Sequence, residues 1–144
     1  MKNIIFYFSD QQRWDTMGCY GQQLPVTPVL DQLAKEGTLF ENAFTCQPVC
    51  GPARACLQTG VYATQVDCHK NNHILPIGID TLARRLISAG YETAYIGKWH
   101  LASEKGSSYR TEPVPVERRG GYEYWMAADA LEATSHGYNG YVFD

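Results

Sequence analysis

The sequence lacks the features of several protein classes. Its 144 residues contain no run of lysines and arginines, and the net charge is -3. The sequence therefore lacks the positive charge that binds nucleic acid or an anionic membrane surface. No apolar stretch is long enough to span a bilayer, and the apolar start reaches Asp10 too early for an export signal. We therefore expect a cytoplasmic protein that binds neither nucleic acid nor membrane.

The cysteines also lack the spacing of a metal or disulfide framework, because none of the five forms a CxxC pair. In the reducing compartment that we expect, structural disulfides are not predicted. The odd count leaves at least one unpaired thiol, which is either a small buried apolar side chain or a reactive group. The residues around each cysteine must distinguish the two.

The hydrophobic pattern that is present predicts an α/β domain. With 44% hydrophobic and 19% charged side chains, the chain can bury a core. Strands are predicted over residues 3–8, 39–44 and 91–96, and helices over residues 27–37, 53–59 and 80–89. This alternation is typical of a mostly parallel sheet flanked by helices. Beyond His100 the pattern weakens into loops, with a short helix predicted over residues 125–131.

The most specific motif is CGPARACLQTG, which runs from Cys50 to Gly60. Its Pro- and Gly-rich turn delivers Cys50 to a predicted helix N-terminus, where backbone N–H groups and the helix dipole favour an anion. Arg54 lies one turn further along the helix and is always charged. Taken alone, the motif is also compatible with a buried cysteine in a turn and a surface arginine.

Two further polar segments follow predicted strands, where α/β folds place their sites. Asp10 and Gln11 follow the first strand, and both offer the oxygen atoms that hard divalent cations need. Lys98 and His100 follow a later strand and, on an extended segment, point to the same side. Turn residues and a structural histidine are the alternatives when each segment is taken alone.

A polar loop follows the helix that contains the cysteine motif. It holds two histidines and two asparagines, namely His69, Asn71, Asn72 and His73. Such residues either line a substrate pocket or are solvated loop residues. As substrate-binding candidates in this loop we name Asn71 and Asn72.

Together these segments resemble the type I sulfatases of the alkaline phosphatase superfamily. The segment from Cys50 resembles their signature C-x-P-x-R with its downstream T-G, and GKWHL around Lys98 resembles the family's G-K-W-H-L. The resemblance implies the alkaline phosphatase-like α/β fold and hydrolysis of a sulfate ester of a small molecule or sugar. It covers the chain as the N-terminal part of a catalytic domain, with the motifs in residues 1–101 and a loop-rich extension over residues 102–144.

The resemblance also implies the role of each residue. In this family a maturation enzyme oxidises the signature cysteine, here Cys50, to formylglycine. One hydroxyl of the hydrated aldehyde attacks sulfur, and the other later expels sulfate. Arg54 would support this nucleophile. Lys98 and His100 would bind sulfate oxygens, with His100 as a candidate general acid.

The metal site is where the chain departs from the family. Asp10, Gln11 and the modified Cys50 would hold Ca²⁺ or Mg²⁺, but most sulfatases carry two adjacent aspartates where this chain has Asp10-Gln11. Related phosphonate monoester and phosphodiester hydrolases also carry Asp-Gln, which leaves such a hydrolase as an alternative. Lys98 and His100 favour the sulfatase.

The third alternative is a truncated, non-catalytic domain that associates with itself or with another chain. The family's remaining metal ligands and a second sulfate-binding lysine come from later sequence than these 144 residues supply. We therefore expect the chain alone to have little or no sulfatase activity, and its sheet edge to be exposed or paired with another copy.

Overall fold

The structure, a computed structural model, describes residues 2–104 and 106–144. The chain divides into an N-terminal unit that ends at Phe44 and a C-terminal unit that begins at Thr45. Each unit has its own arrangement of helices, turns and strands, given below. Within the described residues, no helix has the length and apolar character needed to cross a membrane.

The helix predicted over residues 27–37 is confirmed as α1, Pro28–Glu36, in the N-terminal unit. Proline suits the first position of a helix because its missing N–H would have no partner there. Gly37 ends the helix, and its N–H donates to the carbonyl of Leu33 at 2.8 Å. The side chain of Asp31 ties α1 to a preceding 3₁₀ turn, Gly18–Tyr20, because its Oδ1 accepts from the backbone N–H of Cys19 at 2.8 Å.

Two strands predicted in the N-terminal unit are wrong. Residues 3–8 and 39–44 are not assigned to strands, and the apolar side chains of the first segment are exposed, Ile5 at 92% and Tyr7 at 81%. A strand needs backbone hydrogen bonds to a neighbouring strand as well as an apolar run. Among the described residues of this unit, no strand supplies those bonds.

In the C-terminal unit, the helix predicted over residues 53–59 is confirmed but begins earlier, as α2, Cys50–Thr59. Gly51 and Pro52 extend it because a proline in the first turn forgoes no hydrogen bond. Gly60 ends the helix in a left-handed conformation with φ of 74°, and its N–H donates to the carbonyl of Cys56 at 2.8 Å. The predicted position of Cys50 at a helix N-terminus is therefore correct.

The next two elements, α3 (Leu82–Ser88) and β1 (Ala94–Lys98), were also predicted, with different bounds. The helix is shorter than the predicted span of residues 80–89 because Thr81 caps it, its Oγ1 accepting from the N–H of Arg84 at 3.3 Å. The strand lies later than the predicted span of residues 91–96. This shift places Lys98 at the last position of the strand.

The short helix predicted over residues 125–131 is wrong. Tyr124–Ala128 forms a second strand, β2, and only the single turn Leu131–Thr134, α4, is helical. The side chains of Trp125 and Ala127 are buried while Tyr124 and Met126 are exposed, which is the period of a strand and not that of a helix. β2 pairs with β1 in parallel register from Ala94↔Tyr124 to Lys98↔Ala128, which agrees with the predicted mostly parallel sheet although this strand pair was not predicted.

An aromatic cluster forms the centre of the C-terminal unit. Tyr95 and Trp99 lie 5.1 Å apart between ring centroids, and Trp99 and Trp125 lie 5.5 Å apart, each pair contributing about 0.5–1.5 kcal/mol beyond burial alone. Ala55 of α2 belongs to the same core, which packs the helix against the two strands. The start of α2 and the end of β1 are therefore held in one packed unit.

Candidate functional site

Cys50 occupies the first position of α2 and is half-buried. Val49, the residue before it, provides no side-chain cap for the helix. Instead, a residue distant in sequence binds the start of the helix: Oδ1 of Asn71 accepts from the backbone N–H of Gly51 at 2.8 Å. A side chain added at Gly51 would lie 3.1 Å from that oxygen and 3.5 Å from the carbonyl oxygen of His100. A larger residue after Cys50 would therefore require the Asn71 side chain to shift.

Arg54 is buried on α2, with 6% of its surface exposed, and reaches the end of β1. Its Nη1 donates to the carbonyl oxygen of Lys98 at 2.5 Å and lies 3.3 Å from the hydroxyl of Tyr95. That hydroxyl also donates to the same carbonyl. Burial raises the pKa of Tyr95 to about 12, and the positive charge of Arg54 opposes this shift only in part. Arg54 thus connects the helix of Cys50 with the backbone of Lys98.

The ammonium group of Lys98 faces a carboxylate that the sequence did not indicate. Lys98 Nζ lies 3.0 Å from Oε2 of Glu132 on α4, with 11% of the lysine side chain and 47% of the glutamate side chain exposed. Burial raises the pKa of Glu132, but its own backbone hydrogen bond and the Lys98 ammonium outweigh burial and lower it overall. An anion that binds Lys98 must therefore share this ammonium with Glu132 or displace the carboxylate.

His100 does not continue the extended strand, contrary to the prediction that it alternates regularly with Lys98. Its φ of 60° places it in the left-handed region, and its backbone N–H donates to the carbonyl of Asp129 at 2.8 Å. The side chain is buried, and its Nδ1 has no hydrogen-bond partner among the described residues. Burial lowers the pKa of His100, and the charge of Lys98 lowers it further, so the neutral imidazole is favoured.

Asp129 organises the turn that contains His100. It is fully buried directly after β2, and its Oδ1 accepts from the backbone N–H groups of Leu101 and Ala102, each at 2.9 Å. Its Oδ2 is buried and finds no hydrogen-bond partner in the described part of the chain. Sequence reasoning missed this residue because residues 125–131 were predicted as a helix. A strand assignment there would have marked Asp129 as a polar residue at a strand end.

The two asparagines predicted to bind substrate have different surroundings. Asn71 contacts the start of α2 as described, whereas Asn72 Oδ1 accepts from Arg110 Nη1 at 3.4 Å. Both side chains are half-buried. Only Asn71 has a recorded hydrogen bond to a residue adjacent to Cys50.

The predicted metal ligands lie in different units. Asp10 and Gln11 belong to the N-terminal unit, are exposed, and follow the apolar segment of residues 3–8, with Gln11 in a left-handed conformation at φ of 59°. Cys50 belongs to the C-terminal unit. The carboxylate and amide oxygens of Asp10 and Gln11 fit a hard divalent cation by their chemistry. The thiol of Cys50 offers sulfur, and an oxygen donor there requires its oxidation.

Within the C-terminal unit, the predicted catalytic residues therefore form one connected group. Cys50 begins α2, Arg54 bonds the backbone of Lys98, and the His100 carbonyl lies beside Gly51. The group combines a helix N-terminus, two cationic side chains and a buried neutral imidazole. Such an arrangement can bind a tetrahedral anion and support proton transfer at neutral pH.

Comparison with known proteins points to one family. The family model described as Sulfatase matches residues 2–142. An ulvan-active sulfatase of Formosa agariphila is 41% identical over 137 residues, which cover 95% of this chain and 25% of that protein. The chain thus spans about a quarter of the length of this curated relative.

Solved structures show the same relationship at the level of the fold. A sulfatase structure from Bacteroides fragilis superposes with a TM-score of 0.69 at 36% identity and covers 82% of this chain and 29% of that one. A structure described as a complex with its substrate D-glucosamine-2-N,6-O-disulfate gives a TM-score of 0.63 at 35% identity, over 78% of this chain and 20% of the other. The predicted alkaline phosphatase-like α/β fold is confirmed by these similarities.

Proposed function

The chain belongs to the sulfatase family, and we propose that it forms part of a catalytic domain that hydrolyses sulfate esters, with Cys50 as the source of the nucleophile. The observation that carries this proposal is the bond from Arg54 to the carbonyl of Lys98, which joins the signature helix to the GKWHL segment. The two bonded residues are 44 positions apart in sequence. Their meeting in one packed unit is what a single active site requires.

Cys50 needs a maturation enzyme as a partner. Once oxidised to formylglycine, this position supplies a hydrated aldehyde whose oxygen attacks sulfur. The chain itself contributes the groups that surround Cys50. The start of α2 carries partial positive charge, and Asn71 binds the N–H of Gly51 and so orients the first turn.

In this proposal, Arg54 positions other groups of the site. Its guanidinium group contacts the Lys98 carbonyl and the Tyr95 hydroxyl, so it holds the end of β1 against α2. Its buried positive charge also favours an anion at the start of the helix.

Lys98 and His100 serve the sulfate group and the leaving oxygen. The Lys98 ammonium is a compact charge suited to a sulfate oxygen, and Glu132 is its partner when no anion is bound. His100, held neutral by burial and by Lys98, has one N–H to donate to the leaving oxygen or to a sulfate oxygen. The lowered pKa of His100 favours the neutral imidazole, which gives up its ring proton less readily than imidazolium does. Hydrogen bonding is therefore its first contribution.

The divalent cation that the family uses would be held by Asp10 and Gln11 within the N-terminal unit. The oxygen donors of these two residues fit Ca²⁺ and Mg²⁺. Replacement of one carboxylate by the neutral Gln11 reduces the negative charge of the site, so we expect weaker cation binding than a pair of aspartates provides.

The substrate class that we propose is a sulfated sugar. The relative from Formosa agariphila is named for its activity on ulvan, and one similar structure holds D-glucosamine-2-N,6-O-disulfate. Both observations belong to those proteins and support the proposal for this chain by similarity. A phosphonate monoester or phosphodiester hydrolase is the second candidate, favoured by the Asp10-Gln11 pair.

Mass spectrometry of protein produced with and without a formylglycine-generating enzyme tests the nucleophile. The tryptic peptide that ends at Arg54 contains both Cys46 and Cys50, so fragment ions must assign the change from CH₂–SH to CHO. We expect conversion at Cys50 in the wild type and in Cys46→Ala, and none in Cys50→Ala. An unmodified Cys50 beside an active maturation enzyme would favour a non-catalytic domain.

The reaction is tested by comparing an aryl sulfate with an aryl phosphodiester, using a complete catalytic domain that contains this chain. The sulfatase proposal requires faster hydrolysis of the sulfate. Faster hydrolysis of the phosphodiester would support the second candidate. The 144-residue chain by itself serves as the comparison for the expected lack of activity.

A further inference from the structure

Three potential metal ligands converge in the loop that follows α2. Asp67, His69 and His73 each offer one ligand atom within 4.8 Å of those of the other two. The loop begins after a 3₁₀ turn, Ala63–Val66, and Asp67 turns the chain with φ of 54°. None of these residues belongs to the proposed catalytic group or to the Asp10-Gln11 site.

The distances in this cluster suit a metal ion with short bonds. His69 Nδ1 lies 3.4 Å from Asp67 Oδ1, close to the roughly 3.3 Å that separates two ligands about 2.0–2.1 Å from a tetrahedral zinc ion. The two imidazole rings are 4.6 Å apart between centroids at an angle of 66°, so they do not stack on each other. The two imidazole side chains are about one third exposed and the Asp67 side chain is 85% exposed, so small movements of these side chains would complete the arrangement.

One imidazole is already oriented in the way that metal-binding histidines usually are. His73 Nδ1 lies 2.6 Å from the backbone carbonyl oxygen of Asp67. A carbonyl can only accept, so this contact is a hydrogen bond when Nδ1 carries the proton, which leaves the lone pair of Nε2 for a metal. A hydrogen bond from the second ring nitrogen to a carbonyl commonly fixes histidine ligands in metal sites.

We propose that Asp67, His69 and His73 bind a divalent transition metal of the zinc class, with solvent as the fourth ligand. Two imidazole nitrogens and one carboxylate oxygen are a typical ligand set for zinc, whereas Ca²⁺ and Mg²⁺ prefer oxygen ligands alone. Cys68, between two of the ligands in sequence, is fully buried in the core and does not contribute its thiol.

The position of this site gives the metal a structural consequence near Cys50. The carbonyl oxygen of His69 accepts from Gln47 Nε2 at 2.6 Å, and Asn71 contacts the N–H of Gly51 at 2.8 Å. Residues 69 and 71 thus contact the chain on both sides of Cys50. A metal bound to the loop would hold these two contacts in place without taking part in the reaction.

Titration of the untagged 144-residue chain with Co²⁺, in the presence of a reductant that does not bind metal, tests the site. We expect one Co²⁺ per chain with the intense visible bands of tetrahedral coordination, displaced by Zn²⁺ and not by excess Ca²⁺. His69→Gln and His73→Gln should each weaken Co²⁺ binding by more than about tenfold, since outer contacts of metal ligands alone change affinity on that scale. His136→Gln, outside the cluster, is the matched control and should bind as the wild type does.

Circular dichroism of the variants shows whether they fold, and the thermal midpoint gives a second readout. Zn²⁺ should raise Tm in the wild type and in His136→Gln but not in His73→Gln, because a ligand that binds only the folded state stabilises it. The proposal is overturned if no Co²⁺ binds, if both cluster variants bind like the wild type, or if near-ultraviolet thiolate bands show that cysteines hold the metal. None of these readouts depends on conversion of Cys50 or on hydrolysis.

Discussion

The guanidinium group of Arg54 and the backbone carbonyl of Lys98 are joined by a 2.5 Å hydrogen bond from Nη1 to the oxygen. The same carbonyl accepts from the Tyr95 hydroxyl, so two side chains converge on the end of β1. The contact is part-buried, where hydrogen bonds from charged donors are stronger than at the surface. The position of Lys98 relative to Cys50 thus depends on a residue inside the cysteine motif itself.

Replacement of Arg54 should therefore destabilise the chain. Arg54→Met keeps most of the side-chain volume but removes the charged donor, and we expect a loss of about 1.5–3 kcal/mol. Tyr95→Phe is the matched control, since it removes the second, neutral donor to the same carbonyl and should cost about 0.5–1.5 kcal/mol. Urea denaturation followed by tryptophan fluorescence measures both. A smaller effect for Arg54→Met than for Tyr95→Phe would contradict the role assigned to Arg54.

We expect Asp129 to stabilise the turn that contains Leu101 and Ala102. Asp129→Ala leaves two buried backbone N–H groups without their acceptor, and we expect a cost of at least about 2 kcal/mol. Asp129→Asn retains one acceptor oxygen and should be the milder change. Amide hydrogen exchange measured by NMR localises the effect, with faster exchange at Leu101 and Ala102 in Asp129→Ala. Unchanged exchange at these two amides would show that the carboxylate does not hold the turn.

Glu132 should compete with sulfate for the Lys98 ammonium. Glu132→Gln removes the carboxylate 3.0 Å from Nζ, and we expect inorganic sulfate to bind more tightly, by up to about 1 kcal/mol or roughly fivefold for a partly exposed pair. Calorimetry at low ionic strength gives the affinities, with Lys98→Met as the variant that should lose binding. Equal sulfate affinity in Glu132→Gln and wild type would argue that the anion does not reach Lys98.

His100 should make the chain less stable as the pH falls. Burial and the charge of Lys98 lower its pKa below the ordinary 6.5, so the unfolded state takes up the proton first. The contribution is fully present above pH 6.5 and is lost as the pH falls from 6.5 through the lower folded-state pKa. Urea denaturation at about pH 7.5 and about pH 5.5 measures this loss, and His100→Gln should show less of it.

The lowered pKa of Glu132 acts in the same direction but in a more acidic window. Its stabilising contribution is present above its ordinary pKa of 4.5 and is lost as the pH falls through the lower folded-state value. Measurements kept above about pH 5 therefore report mainly on His100. If His100→Gln showed the full wild-type pH dependence in that range, the assignment to His100 would fail.

Features that depend on neighbouring residues could be predicted from the sequence. Pro28 and Gly37 set the limits of α1, and the turn around Pro52 set Cys50 at the start of α2. These positions were predictable because helix ends depend on residues a few positions apart. Membership of the family could likewise be predicted, because each of its motifs is short and continuous in sequence.

Contacts between residues from distant parts of the chain are seen only in the folded structure. Asp129 reaches the amides of Leu101 and Ala102, and Glu132 reaches Lys98, across separations that no local pattern encodes. Strand formation depended on the same kind of contact. β2 pairs with β1, whereas the more apolar residues 3–8 do not form a strand. Ladder hydrogen bonds and ion pairs require a partner that folding brings close, and a single segment of sequence does not contain that partner.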